Sequence, residues 1–247
     1  MNKTNLLVCM GILCSCCISM NAKNALVIIA HGAPMNEWNK PVLNLENSVK
    51  EQLKEKGITK FDYVRIALME FSQPSISNVI RDCEQEKIDS IYAIPLFIAP
   101  SSHSEQDIPA ILGHKFNAQT VHSLKEEKTE FVTSPIPVVL GPTLYYGDIL
   151  EKVVTERVKT MSKDIKNEGL LLLAHGDPEY IGFWSSMMKR IGKFIEKTTG
   201  ISSFDYAFVG MGQSFKEDIL KELIQISKTK KRILVQGVYL SSGVKPM

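Results

Sequence analysis

His31, Glu70 and His103 each follow a short apolar run in the first half of the chain. Two imidazoles and a carboxylate are a borderline ligand set, suited to Co, Fe, Ni or Zn rather than to Ca or Mg. With no protein cage closing it, such a site keeps open coordination positions. Gly32, directly after His31, permits a tight turn and close approach by a flat ligand. Ser101 and Ser102 supply hydroxyls beside His103, where they and nearby helix N-termini are expected to donate to an acidic ligand. Asp107-Ile108-Pro109 reads as the start of the next helix, since proline is tolerated in a first turn. A single histidine at a strand end is more often a satisfied polar residue than a ligand. The weight here comes from three metal-competent residues converging, and from the local pattern occurring twice.

That repetition organises the chain. At a shift of about 143 residues, Ala25-Leu-Val-Ile-Ile-Ala-His31-Gly32 matches Leu170-Leu-Leu-Leu-Ala-His175-Gly176. Phe61-Asp-Tyr-Val-Arg-Ile-Ala-Leu-Met-Glu70 matches Phe204-Asp-Tyr-Ala-Phe-Val-Gly-Met-Gly-Gln213, and residues 91–97 match residues 233–239. Each matched stretch has strand length, and helical spacing lies between them, as in Trp38, Val42, Leu45, Val49 and Leu53. Near-continuous apolar strands alternating with helices predict an α/β fold with parallel sheets covered on both faces. Two flavodoxin-like lobes follow, residues 23–142 and 143–247, with a helix over 143–165 as connector. Right-handed crossovers make the order 2-1-3-4 natural, with the switch point between the first and third strands. On that order His31, Glu70 and His103 share one rim, at the carboxyl ends of neighbouring strands. The second lobe stops after its third strand, so either the sequence is a fragment or this lobe lacks a last helix and strand.

A chain of 247 residues, 44% hydrophobic and 23% charged, can bury one large core or two modest ones. Its 29 basic and 27 acidic residues are spread along the chain, so no basic stripe marks a nucleic-acid surface. The first 22 residues read as a leader. Lys3 precedes an apolar run over 6–13, far short of the ~20 residues a spanning helix needs. Leu13-Cys14-Ser15-Cys16 resembles a bacterial lipobox, and acylation of Cys16 would tether the domain to a membrane. A plain signal peptide cleaved near Ser19 or Ala22 is the alternative, and both export the protein, to the periplasm on this reading. Cys83 is then essentially alone, which leaves neither a disulfide framework nor a cysteine metal cage. It reads as a structural or exposed thiol. His114 and His122 read as solvated surface, and Trp184, Met187 and Met188 as core packing. Gly212-Gln-Ser214-Phe-Lys216 lacks the final glycine of a nucleophile elbow, and neither G-x-G-x-x-G nor a Walker-type loop is present.

Ala30-His31-Gly32, Ala67-Leu68-Met69-Glu70-Phe71 with Gln73-Pro74-Ser75, and Ile94-Pro95-Leu96-Phe97 with Ser102-His103 and Asp107-Ile108-Pro109 together resemble the class II chelatases. These are the CbiX/CbiK type that metallates sirohydrochlorin for cobalamin or siroheme, and the resemblance covers everything after the leader. It implies a bilobal lyase with a tetrapyrrole in the cleft between lobes and Co2+, Fe2+ or Ni2+ as the metal substrate, with no other cofactor. It also implies that His31 and His103 bind the metal while Glu70 helps hold it or accepts protons. The second lobe departs from the pattern: His175 remains, but Gln213 replaces Glu70, and Val244 or Lys245 replaces His103. One active site is therefore expected, in the first lobe, with His175 a remnant or a cleft-lining residue. The rival reading, which export favours, is a non-catalytic carrier of haem, another tetrapyrrole or free metal.

Overall fold

The computed structural model describes residues 22–115, 117–209 and 214–240. The leader with Cys16, and Gln213, Val244 and Lys245, lie outside the described residues.

Two parallel sheets follow one another along the chain. The first contains β1 (Asn24–Ala30), β2 (Tyr63–Leu68), β3 (Ser90–Pro95) and β4 (Val138–Leu140), in the order β2-β1-β3-β4. The second contains β5 (Glu168–Ala174), β6 (Phe204–Phe208) and β7 (Arg232–Gly237), in the order β6-β5-β7. The repeat in sequence is thus a repeat in topology, with a counterpart to β4 absent among the described residues. β1 and β5 are central in their sheets and covered on both faces, which is why they read as unbroken apolar runs rather than as alternating ones.

Helix α1 (Asn36–Glu55) covers one face of the first sheet. Val42, Leu43, Val49 and Leu53 pack against Leu26, Ile28, Val64 and Ile66. Trp38 and Leu45, on the same helical spacing, remain 37% and 38% exposed. The inward stripe passes instead through buried Asn39 and through Glu46, which meets Arg65 of the edge strand β2 at 3.4 Å, so polar partners set the helix's rotation. On the opposite face lie α2 (Ile76–Gln85), α3 (Ile108–Ile111) and α4 (Ala118–Glu126), closing a core that includes Val27, Ile29, Ile80, Ile91 and Leu124. Cys83 belongs to that core, and burial pushes its thiol up to about 11, so it is structural and unreactive. His114 is exposed, and exposed His122 meets Glu126 at 3.3 Å, in keeping with a solvated surface.

The connector is shorter than the expected helix over 143–165. A 3-10 turn at Leu144–Tyr146 precedes α5 (Ile149–Met161), and a second 3-10 turn follows at Ile165–Asn167. The carbonyls of Tyr145 and Gly147 accept from the guanidinium of Arg190, which also pairs with buried Glu151, so they are drawn out of any continuous helical ladder. Arg190 lies on α6 (Ile181–Thr199), and the second sheet is further covered by α7 (Ser214–Ser227). Leu150, Val154 and Val158 of α5 join Trp184, Met187, Met188 and Ile191 of α6 in the second core. That core also takes in Ile98 and Ala99 from the segment after β3, and the Trp184 indole N–H donates to the Pro100 carbonyl at 3.0 Å. The lobes are therefore packed together through the very stretch that leads to His103. Among the described residues no helix is long and apolar enough to cross a membrane.

At the start of β5 a carboxylate is fully enclosed. Glu168 accepts from the Ser162 hydroxyl at 2.6 Å, the Lys163 N–H at 3.0 Å and Arg232 at 2.7 Å. Burial alone would raise its pKa, but these donors outweigh it and hold the group below the ordinary carboxylate range. A depressed folded-state pKa contributes stability that is present above the unfolded value of about 4.3 and is lost as pH falls through the folded one. Glu168→Gln should cost roughly 1–3 kcal/mol at pH 7. In urea unfolding the gap between variant and parent should narrow below about pH 4; a gap independent of pH would show that the charge of Glu168 does not contribute.

Candidate metal centre

The site begins where the β1–β2 ladder continues past the strands. The Met69 N–H donates to the Ala30 carbonyl at 2.8 Å, and the Glu70 N–H to the His31 carbonyl at 2.9 Å. His31 and Glu70 are thereby neighbours across the ladder. Gly32 makes this possible: its φ is +88°, and a Cβ there would lie 2.2 Å from the Glu70 carbonyl oxygen. The close approach that glycine permits is thus by the backbone of Glu70. The loops after β1 and β2 are tied again by Asn39, whose amide donates to the Ala33 carbonyl and the Ser72 hydroxyl, both at 2.8 Å. Ser72 in turn donates to the Ala33 carbonyl at 2.9 Å.

His103 arrives from β3. It opens a π-helical turn, His103–Asp107, that runs directly into α3. Asp107 stands at the start of α3, as its place before Ile108-Pro109 suggests, but its side chain makes no capping bond; one turn beyond His103, its carboxylate meets the His103 Nδ1 at 2.7 Å. Ser101 is buried and its hydroxyl accepts from the Ser104 N–H at 3.4 Å, while the Ser102 hydroxyl donates to Asp177 of the second lobe at 3.2 Å. Both serines expected to meet a ligand therefore spend these contacts on the turn that carries His103.

His31, Glu70 and His103 come together with one ligand atom of each within 4.8 Å of the others. Two donors on a shared ion of zinc-like size stand about 3–4 Å apart, so a small side-chain rotation closes the set. The imidazole rings are 4.7 Å apart, edge to face, and Glu70 Oε1 lies 3.8 Å from His103 Nδ1. The His31 Nδ1 faces the Gly32 carbonyl at 2.8 Å, and a carbonyl can only accept, so that nitrogen carries the proton and Nε2 keeps its lone pair. Asp107 imposes the same tautomer on neutral His103, in the carboxylate–histidine arrangement that orients metal ligands. That hydrogen bond raises the His103 pKa against the opposing effect of burial. Burial raises Glu70 while the two imidazoles pull it down, leaving it above its ordinary value. Two phenyl rings flank the imidazoles: Phe97, 6.4 Å from His31, and Phe71, 6.1 Å from His31 and 65% exposed.

The residues that position this trio were not singled out by spacing. Asp107 had a usable signal, a carboxylate four residues after a histidine, which coincides with the signal of a helix start. Asn39 had none, because its partners are a backbone carbonyl and a serine distant in sequence. In the second lobe His175 repeats the local geometry, its Nδ1 facing the Gly176 carbonyl at 2.7 Å, but it is exposed and outside the ligand trio.

The CbiX family model matches residues 25–161, more than half of the sequence, and spans the first sheet, all three ligand candidates and α5. The chain belongs to the CbiX family. Within it, 37% of 89 aligned residues are identical to a sirohydrochlorin cobaltochelatase of Methanococcus aeolicus, an alignment covering 36% of this chain and 58% of that protein. The cobaltochelatase of Methanococcus maripaludis matches at 34% over the same share, so the match spans less than two thirds of these relatives. A longer alignment, 133 residues at 22% identity, joins 54% of this CbiX chain to 91% of a Saccharolobus islandicus sirohydrochlorin cobaltochelatase. Among solved structures, Bacillus subtilis SirB with Fe3+ superposes at a TM-score of 0.57 and 14% identity over 87% of this chain and 88% of that one. SirB of Bacillus subtilis subspecies spizizenii in complex with cobalt does so at 0.53 and 12%, over 87% of each. At such identities the likeness is one of fold, and it extends across both lobes.

Gly32→Ala should destabilise the protein by about 2–4 kcal/mol, because it adds left-handed strain to a collision with backbone. Gly57, with φ +64° and nothing within 4 Å of an added Cβ, is the control; its alanine variant should lose only about 1 kcal/mol. Equal losses in thermal unfolding would remove the close contact with Glu70 as the reason for glycine at position 32.

Proposed function

We propose that the chain is a chelatase, a lyase that inserts Co2+ or Fe2+, or Ni2+, into a tetrapyrrole of the sirohydrochlorin type. One observation carries this: two imidazoles with free Nε2 positions and a half-buried carboxylate converge beside an exposed phenyl ring. A site with three protein donors at one edge leaves the rest of the metal's coordination sphere open to a macrocycle. The cobaltochelatase relatives in the same family, and the cobalt and iron bound by SirB, support the same reading.

On this reading His31 and His103 take the incoming ion, and Glu70 completes its hold. A flat ring then stacks against Phe71 and offers its nitrogens to the open side of the ion. Insertion releases two pyrrole protons as the imidazoles give up the metal: Glu70 accepts one and the other passes to solvent water. No second cofactor enters, since no electron is transferred. The leader residues support the export of this activity in a form tethered through acylated Cys16.

His31→Ala and His103→Ala should each lower the rate of Co2+ insertion into sirohydrochlorin by at least about a hundredfold, followed by the change in tetrapyrrole absorbance, with the fold intact by circular dichroism. Glu70→Gln, which keeps the shape but not the base, should fall by about ten- to a hundredfold. Wild-type protein that binds the tetrapyrrole without accelerating insertion would replace the enzyme with a carrier.

A further inference from the structure

Asp177 stands in the second lobe where Ala33 stands in the first, two residues beyond the histidine that ends the central strand. Its two carboxylate oxygens face different ways. Oδ1 accepts from the N–H groups of Glu179 at 3.0 Å and Tyr180 at 3.2 Å, closing its own loop ahead of α6. Oδ2 reaches the other lobe, accepting from both the N–H (3.1 Å) and the hydroxyl (3.2 Å) of Ser102, the residue immediately before His103. Two more bonds brace the same segment from the same side: Trp184 to the Pro100 carbonyl, and Gln106 to Glu179 at 2.9 Å. His103 thus sits on a turn held from within by Asp107 and from the other lobe by Asp177. The first lobe has no equivalent, because alanine at position 33 offers no side-chain acceptor.

We propose that Asp177 is a positioning residue for the metal centre: by gripping Ser102 it fixes where His103 presents its nitrogen, so the lobe without a ligand trio sets the geometry of the lobe that has one. This rests on the reading of His31, Glu70 and His103 as metal ligands. A second lobe retaining the strand-end loop but not the acid and second histidine then has a task, and outer partners of metal-bound histidines commonly alter affinity ten- to a hundredfold.

Asp177→Asn separates the two roles of this carboxylate. An asparagine can keep its carbonyl oxygen toward Glu179 and Tyr180, which preserves the loop, but then turns an NH2 group toward the Ser102 N–H; these two donors repel, and the only bond left to Ser102 is a reversed one to its hydroxyl oxygen. Ser102→Ala is the milder companion, removing one of the two bonds between the lobes. The readout is titration of full-length protein with Co2+ alone, following the visible d–d absorption, together with insertion kinetics in which Co2+ and sirohydrochlorin are varied separately. His31→Ala is the control for the site. With wild type binding Co2+ and His31→Ala not, Asp177→Asn should weaken Co2+ binding by about tenfold and change the d–d band shape. It should also raise KM for the metal while leaving KM for the tetrapyrrole within about twofold, and Ser102→Ala should fall between it and wild type. Wild-type affinity and band shape in Asp177→Asn would overturn the proposal, as would a rise confined to the tetrapyrrole KM, which would make Asp177 a macrocycle contact. Should His31→Ala bind Co2+ as wild type does, the assignment of the metal ligands fails first.

Discussion

The parallel ladder between β1 and β2 continues beyond Ala30 and Leu68 through the Glu70 N–H to the His31 carbonyl, and it can do so only because nothing projects from Gly32. The meeting of His31 and Glu70 follows from that contact. Two backbone bonds beyond the strand ends carry an imidazole and a carboxyl, 39 positions apart in the chain, to the same rim. There burial raises the Glu70 carboxyl while the two rings beside it pull it down.

His103 is held by a different device. β3 pairs with β1, but His103 lies eight residues past Pro95, too far for the ladder to position it. Its place is determined by packing: Ile98 and Ala99 are embedded in the core of the second lobe, Trp184 caps Pro100, and the π-turn is closed by Asp107. Two members of the trio therefore derive from the first sheet, while the place of His103 depends on the partnership between sheets.

The duplicated lobe also shows how one loop geometry serves two purposes. Gly176, like Gly32, adopts positive φ, and in each lobe the preceding histidine turns Nδ1 to the glycine carbonyl. In the first lobe the neighbour pressed against that glycine is the backbone of Glu70; in the second it is the ring of Phe208, within about 3.0 Å of a notional Cβ. The same turn frames a carboxylate in one case and closes apolar packing in the other, so local backbone alone does not make a site.

Apolar runs of strand length, helical spacing between them and the internal repeat were sufficient to establish an α/β chain of two parallel-sheet lobes, its 2-1-3-4 order, and the meeting of His31, Glu70 and His103. Those features are local or follow from the handedness of crossovers, which any sequence with this pattern must obey. The rotation of α1, which leaves Trp38 and Leu45 exposed, the break at Gly147, and the partners of Ser101, Ser102, Asn39, Asp107 and Asp177 were decided in three dimensions. Each depends on a polar group finding a partner from a distant segment once water has been excluded, and a hydroxyl or carboxylate in sequence does not record which distant donor or acceptor it will meet.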